Sequence, residues 1–86
     1  MSYKVNANTL VNMNYHIKDL QERLSEEYIT SPPNNKDELI GNIKREVEQV
    51  LYEVGLADLN YKIKYNNLKP TELDFEVIVP TDQIDQ

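Results

Sequence analysis

The feature that most constrains this chain is a change of hydrophobic period near Gly55. Before it, apolar residues recur every three or four positions, the spacing of one face of an α-helix. After it they recur every second position, the spacing of a strand buried on one side. A chain that makes this switch once predicts helices followed by strands, an α+β architecture.

In the helical half, Leu10, Met13, Ile17, Leu20 and Leu24 form one stripe that Tyr28 continues. Asn14, Lys18, Glu22 and Ser25 fall on the opposite side, and Asp19 precedes Arg23 by four residues, the favourable order for an ion pair. Asn8 or Thr9 can accept the first free backbone N–H groups. The spacing therefore predicts a helix over 9–30. The prolines of "SPPNN" stop it, because they fix φ and push Ser31 away from helical angles. A second helix is predicted from Asn35 as N-cap, with Glu38 placed to close a capping box. Its stripe is Leu39, Ile43, Val47, Val50 and Val54, widened by Ile40 and Leu51, and Gly55 stands where a left-handed C-cap residue belongs. So short a connection predicts an antiparallel helical hairpin.

Beyond Gly55, Leu59, Tyr61, Ile63 and Tyr65 alternate with Asn60, Lys62, Lys64 and Asn66. After the turn-forming "NNLKPT", Leu73, Phe75, Val77 and Val79 alternate with Asp74, Glu76 and Ile78. This predicts an antiparallel β-hairpin with one buried face, ended by Pro80. Setting Tyr65 across from Leu73 places Ile63 opposite Phe75 and Tyr61 opposite Val77. The same register sets Lys64 opposite Asp74 and Lys62 opposite Glu76, so the charges read as register markers on a solvated face. A slip of one residue would turn every apolar side chain into water. Tyr3–Asn6 also alternates and is a candidate third strand. The expected organisation is one α+β domain over 1–80, the helical hairpin packed on the β-hairpin, with a loose acidic tail over 81–86.

Charge and residue usage exclude several functions. The chain has 86 residues, room for one domain at most, and a formal net charge of −6. That field repels phosphate backbones and anionic lipid surfaces, so neither nucleic acid nor membrane is an expected partner. Without cysteine there are no disulfides, thiolate zinc sites or cysteine nucleophiles. "MSYKVNANTL" contains no apolar leader core, and no apolar run approaches a membrane span. The expected setting is therefore soluble, in a cytoplasm or in a particle.

His16 is the single histidine, and Asp19 and Glu22 near it do not complete a metal site. Ser2, Ser25 and Ser31 have no nucleophile-elbow context. Two glycines, Gly41 and Gly55, cannot form a phosphate-cradling loop. "DLNYKIKYNNLK" fails as a calcium loop, because lysine stands at its fifth and twelfth positions, where carboxylates are required. Catalytic, metal and cofactor-binding residues are accordingly expected to be none, and the chain is not expected to be an enzyme.

What remains are features of a protein interface. Six tyrosines offer contact area with a polar tip, and Tyr15 and Tyr52 lie off the main stripes. Glu72, Asp74 and Glu76 share one strand face at about 6.6–7 Å spacing, which raises DNA mimicry. Lys62 and Lys64 should neutralise two of these acids, which counts against it. Ile78 stands on the nominally wet face between Val77 and Val79, an arrangement that makes sense if another chain covers it. The expected partner is a protein or a second copy, in a homo-oligomer or larger assembly, with Glu72, Asp74, Glu76, Ile78, Tyr15 and Tyr52 as the candidate contacts.

Asn and Tyr are unusually frequent in this short chain, and with Lys and Ile they are residues that A/T-rich codons favour. In size and composition it resembles the small accessory proteins of tailed bacteriophages. That resemblance implies a structural or assembly part of a phage particle, such as a capsid, connector or baseplate accessory. The alternative it allows is a phage-encoded acidic inhibitor of a host or defence protein.

Overall fold

The computed structural model describes residues 5–84. Two antiparallel helices, α1 (Ala7–Thr30) and α2 (Lys36–Glu53), precede a two-stranded antiparallel sheet of β1 (Lys62–Asn67) and β2 (Asp74–Ile78). The architecture is α+β, with the helical hairpin on one face of the β-hairpin. The molecule is long and narrow, 43 × 20 × 20 Å, because α1 runs for 24 residues.

Each helix begins where a short polar side chain can accept backbone N–H groups. The cap of α1 is Asn6, not Asn8 or Thr9; its Oδ1 accepts from the Thr9 N–H at 2.8 Å and from the Thr9 hydroxyl at 3.0 Å. "NANT" offers several caps. Val5, just before Asn6, and Leu10, the fourth helical residue, hold the positions of a hydrophobic staple. Val5 is buried and Leu10 packs on the same core, which starts the helix two residues earlier than expected.

Asn35 caps α2 as expected, accepting from the Glu38 N–H at 2.8 Å. Glu38 reaches back one residue further than in a standard box, to the Asn34 N–H at 3.1 Å. Asn35→Ala is expected to cost about 1 kcal/mol, read as a lower urea midpoint; an unchanged midpoint would deny the cap any role. Gly55 follows α2 at φ 80°, the left-handed angle that glycine adopts without strain.

The helices meet along their predicted stripes: Met13, Ile17, Leu20, Leu24 and Tyr28 of α1 and Leu39, Ile43, Val47, Val50 and Leu51 of α2 are buried. Arg23 lies 3.9 Å from Glu46 across the helix pair, so it serves an interhelical contact in place of the expected one with Asp19.

The hairpin has the expected faces and a different register. Ile63 pairs with Val77, Tyr65 with Phe75, Lys64 with Glu76 and Lys62 with Ile78; a bulge between Tyr65 and Asn67 then sets Asn67 opposite Asp74. This is two residues away from the expected alignment, in which Ile63 faced Phe75. A slip of two keeps every apolar side chain inside, so the alternation could not choose between the two registers. The turn chooses. Asn67 Oδ1 accepts from the Lys69 N–H at 2.9 Å, and Pro70–Glu72 forms a 3₁₀ turn closed by the Glu72 N–H on the Lys69 carbonyl. These fold Leu73 out of the ladder and against α1.

The charges are therefore not the register markers they were expected to be. Lys62 faces an isoleucine, and neither ladder lysine comes within 4 Å of a carboxylate among the described residues. Glu76 accepts instead from the Asn66 side chain, at 3.4 Å.

Helix α1 also closes the outer edge of β2. The Phe75 N–H donates to Gln21 Oε1 at 2.6 Å, and the Leu73 N–H to Ser25 Oγ at 3.3 Å. Side chains of a helix thus stand in for a neighbouring strand.

Residues 81–84 are docked, where a loose tail was expected from 81. Extending the ladder to its next hydrogen-bonded pair, two residues on, would set Asn60 opposite Pro80, which has no N–H to give. The buried Gln83 side chain takes that place: its Oε1 accepts from the Asn60 N–H at 3.1 Å, and its Nε2 donates to the Asn60 carbonyl at 3.4 Å. The Gln83 carbonyl in turn accepts from the Val5 N–H at 2.7 Å, and Val5 bridges Ile84 in parallel. Of the candidate third strand, Val5 makes only this isolated bridge and Asn6 is the helix cap; Tyr3 and Lys4 lie outside the described residues, as do 85 and 86 of the tail.

Candidate interaction surface

Two contacts fix how α1 and β2 run beside each other. Ser25 meets Leu73 and Gln21 meets Phe75, so the two elements are antiparallel, one helical turn to two strand residues. A turn rises about 5.4 Å and two strand residues span about 6.6–7 Å, so the pace is nearly matched. Continued, it brings Ile78 level with Asn14 and Tyr15. The outer faces of the two elements also share a shallow depression, in which Lys18 and Glu22 stand beside Asp74. The wet side of the sheet and the outer face of α1 are one continuous surface.

That surface holds large apolar side chains in water. Val11 is 69% exposed, Tyr15 72% and Ile78 45%. Ile29, equally exposed, lies near the far end of α1. Val11 and Tyr15 are four residues apart and stand on one line of the helix. Sequence reasoning named Tyr15 and Ile78 but missed Val11. Its signal was readable: an apolar residue adjacent to the Leu10 stripe position that repeats with Tyr15, not with the stripe.

The other candidate contacts are dispersed. Tyr52, 71% exposed, lines a different depression with Arg45, Glu48 and Tyr61. Glu72 has left the strand for the 3₁₀ turn and sits 3.7 Å from Lys69. With Glu76 held by Asn66, Glu72, Asp74 and Glu76 do not form the evenly spaced acidic row that phosphate mimicry needs. His16 is exposed and meets Tyr15 edge-on, ring centres 6.0 Å apart. Among the described residues no three His, Asp or Glu side chains are grouped to hold a metal, and no helix is long and apolar enough to cross a membrane.

Among the described residues two titrating groups are shifted, both tyrosines of β1 and its approach. Burial raises the Tyr61 phenol above its ordinary 10.0, helped by the charge of Glu48 and by Tyr65. Burial alone raises Tyr65. Both are neutral hydrogen-bond donors at physiological pH. The Tyr65 hydroxyl is buried with no partner among the described residues.

Fold and surface together define a small two-layer α+β domain with Val11, Tyr15 and Ile78 exposed on its outer side. Comparison with known protein families, with curated proteins and with solved structures finds no match for this chain.

Proposed function

We propose that this chain is a non-catalytic protein–protein interaction module, working as a structural or assembly subunit. The observation that supports this reading is the exposure of Val11, Tyr15 and Ile78 on one continuous face. Large apolar side chains gathered on a polar surface gain free energy when a partner covers them, at roughly 25 cal/mol per Å² of apolar area. The partner on this face is a second copy of the chain, and the site of action is a bacteriophage particle or the host cytoplasm in which one assembles. Size and composition support the phage setting.

Light scattering across a concentration series tests the assembly. The expected result is growth in mass with concentration, weakened by Ile78→Thr, which leaves the fold intact because Ile78 points away from the core. A clean monomer at high micromolar concentration, with Ile78→Thr silent, would end the self-assembly reading. Recovery of many copies with purified particles is the expected outcome in an infected cell. Recovery in equal ratio with one host protein would replace the particle reading with that of an inhibitor.

A further inference from the structure

The two edges of the sheet are treated differently. The β2 edge is closed by Gln21 and Ser25 of α1. The β1 edge is not. Because the Phe75 N–H points away from β1, Tyr65 opposite it is a pair without mutual hydrogen bonds, and so is Ile63 two residues along. The backbone N–H and C=O groups of Tyr65 and Ile63 therefore face outward, and none of the described residues bonds to them. Beside this edge α2 approaches the strand less closely than α1 approaches β2. The inward side chains of β2 are buried, but Tyr61, Ile63 and Tyr65 are only half-buried. The gap is a groove of about 470 Å³ lined by Lys44, Glu48, Tyr61, Lys62, Ile63 and Tyr65. It takes in Lys62 from the wet face and its neighbours from the core face, so it wraps the strand edge itself.

We infer that this groove is a strand-addition site: an extended segment of a partner protein, alternating apolar and acidic residues, pairs with β1 through the outward backbone groups of Ile63 and Tyr65.

Chain geometry supplies the backbone match, and main-chain bonds along a sheet edge are a general means of holding an extended peptide. Charge selects the occupant. Lys62 and Lys64 occupy the wet face of β1, and Lys44 stands on the α2 wall; none has a carboxylate within 4 Å among the described residues. Acids on the wet side of an added strand would meet Lys62 and Lys64, and Lys44 would face the strand from the α2 wall beside Glu48, while its apolar side would continue the half-buried row of Tyr61, Ile63 and Tyr65. β2 is itself such a strand, with Glu76 across from Lys64. A second copy adding its own β1 would set lysine against lysine, which is unfavourable. This inference deepens the interaction reading but uses a different surface from Val11, Tyr15 and Ile78, so the two can fail separately.

The test is amide hydrogen exchange on the whole protein with an end-capped heptapeptide alternating Val and Glu, and with its Val–Lys counterpart as control. In the free protein the Ile63 and Tyr65 amides should exchange fast, while those of Lys62 and Lys64, inside the ladder, are slow. Saturation with the acidic peptide should slow Ile63 and Tyr65 by about tenfold or more. The lysine peptide should leave them unchanged. The double variant Lys44→Glu with Lys62→Glu, at two exposed positions, should reverse the preference between the peptides. The inference is overturned if the acidic peptide protects neither amide, or if both peptides protect them equally. Protection that grows with protein concentration alone, without peptide, would also overturn it, by assigning the edge to a second copy. Each of these results leaves the Ile78→Thr scattering test untouched.

Discussion

Phe75→Ala is expected to lower the unfolding free energy by about 3–5 kcal/mol. Phe75 is the single phenylalanine of the chain, 2% exposed, at the centre of the buried face of β2. Its ring belongs to one core with the stripes of both helices, and its amide is tied to Gln21. Truncation removes the burial of the ring and leaves a void that two short strands, pinned by α1 and by the 3₁₀ turn, cannot collapse to fill. A domain of this length commands on the order of 4–13 kcal/mol in all. The variant should therefore unfold at a much lower urea concentration, with part of the population unfolded in water. A loss below about 1 kcal/mol, the range of surface substitutions, would mean that the sheet does not share the helical core.

Leu20→Ala is expected to cost about 2–5 kcal/mol for the same reason, seen from the helical layer. Leu20 is fully buried at the middle of α1. The neighbouring Gln21 holds β2, so a cavity at Leu20 lies next to the tie between the two layers. The control is His16→Ala, one turn earlier on the exposed side, which should change stability by no more than about 0.5 kcal/mol. Urea or thermal unfolding of the pair checks both. Comparable losses from Leu20 and His16 would contradict the assignment of α1's buried face.

Both expectations concern residues that were legible without a structure, and that is characteristic of this chain. A period of 3.6 or 2 is a local property, repeated over several residues. Leu10 to Tyr28, Leu39 to Val54 and Leu73 to Val77 each state which side is apolar many times over. Local side-chain chemistry was legible in the same way where it was unique: Asn35 as a cap, Gly55 as a left-handed stop. At "NANT" several residues could serve, and the choice of Asn6 came from the burial of Val5, a contact with the rest of the fold.

The interaction surface was legible only in part. Tyr15 and Ile78 could be named because each breaks a local pattern. Their approach to one level could not be read, since it depends on how α1 and β2 run past each other. The acidic row of Glu72, Asp74 and Glu76 looked continuous in sequence and is broken in space. Glu72 fits the strand alternation, but Pro70 begins a 3₁₀ turn that removes it from the strand.

What the amino-acid order determined by itself was the kind and order of elements, the buried face of each, and the polarity of the surface. These follow from spacing and charge, which any local stretch carries. The tertiary structure decided everything that compares distant stretches. It chose the hairpin register, because alignments two residues apart bury the same side chains and only the turn and α1 distinguish them. It docked Gln83, because an amide side chain can replace the rung that Pro80 cannot make. It closed the β2 edge with Gln21 and Ser25, residues some fifty positions away in sequence, and left the β1 edge open beside Lys44. An unpaired backbone group carries no mark in the sequence; it becomes visible only when every other partner has been placed.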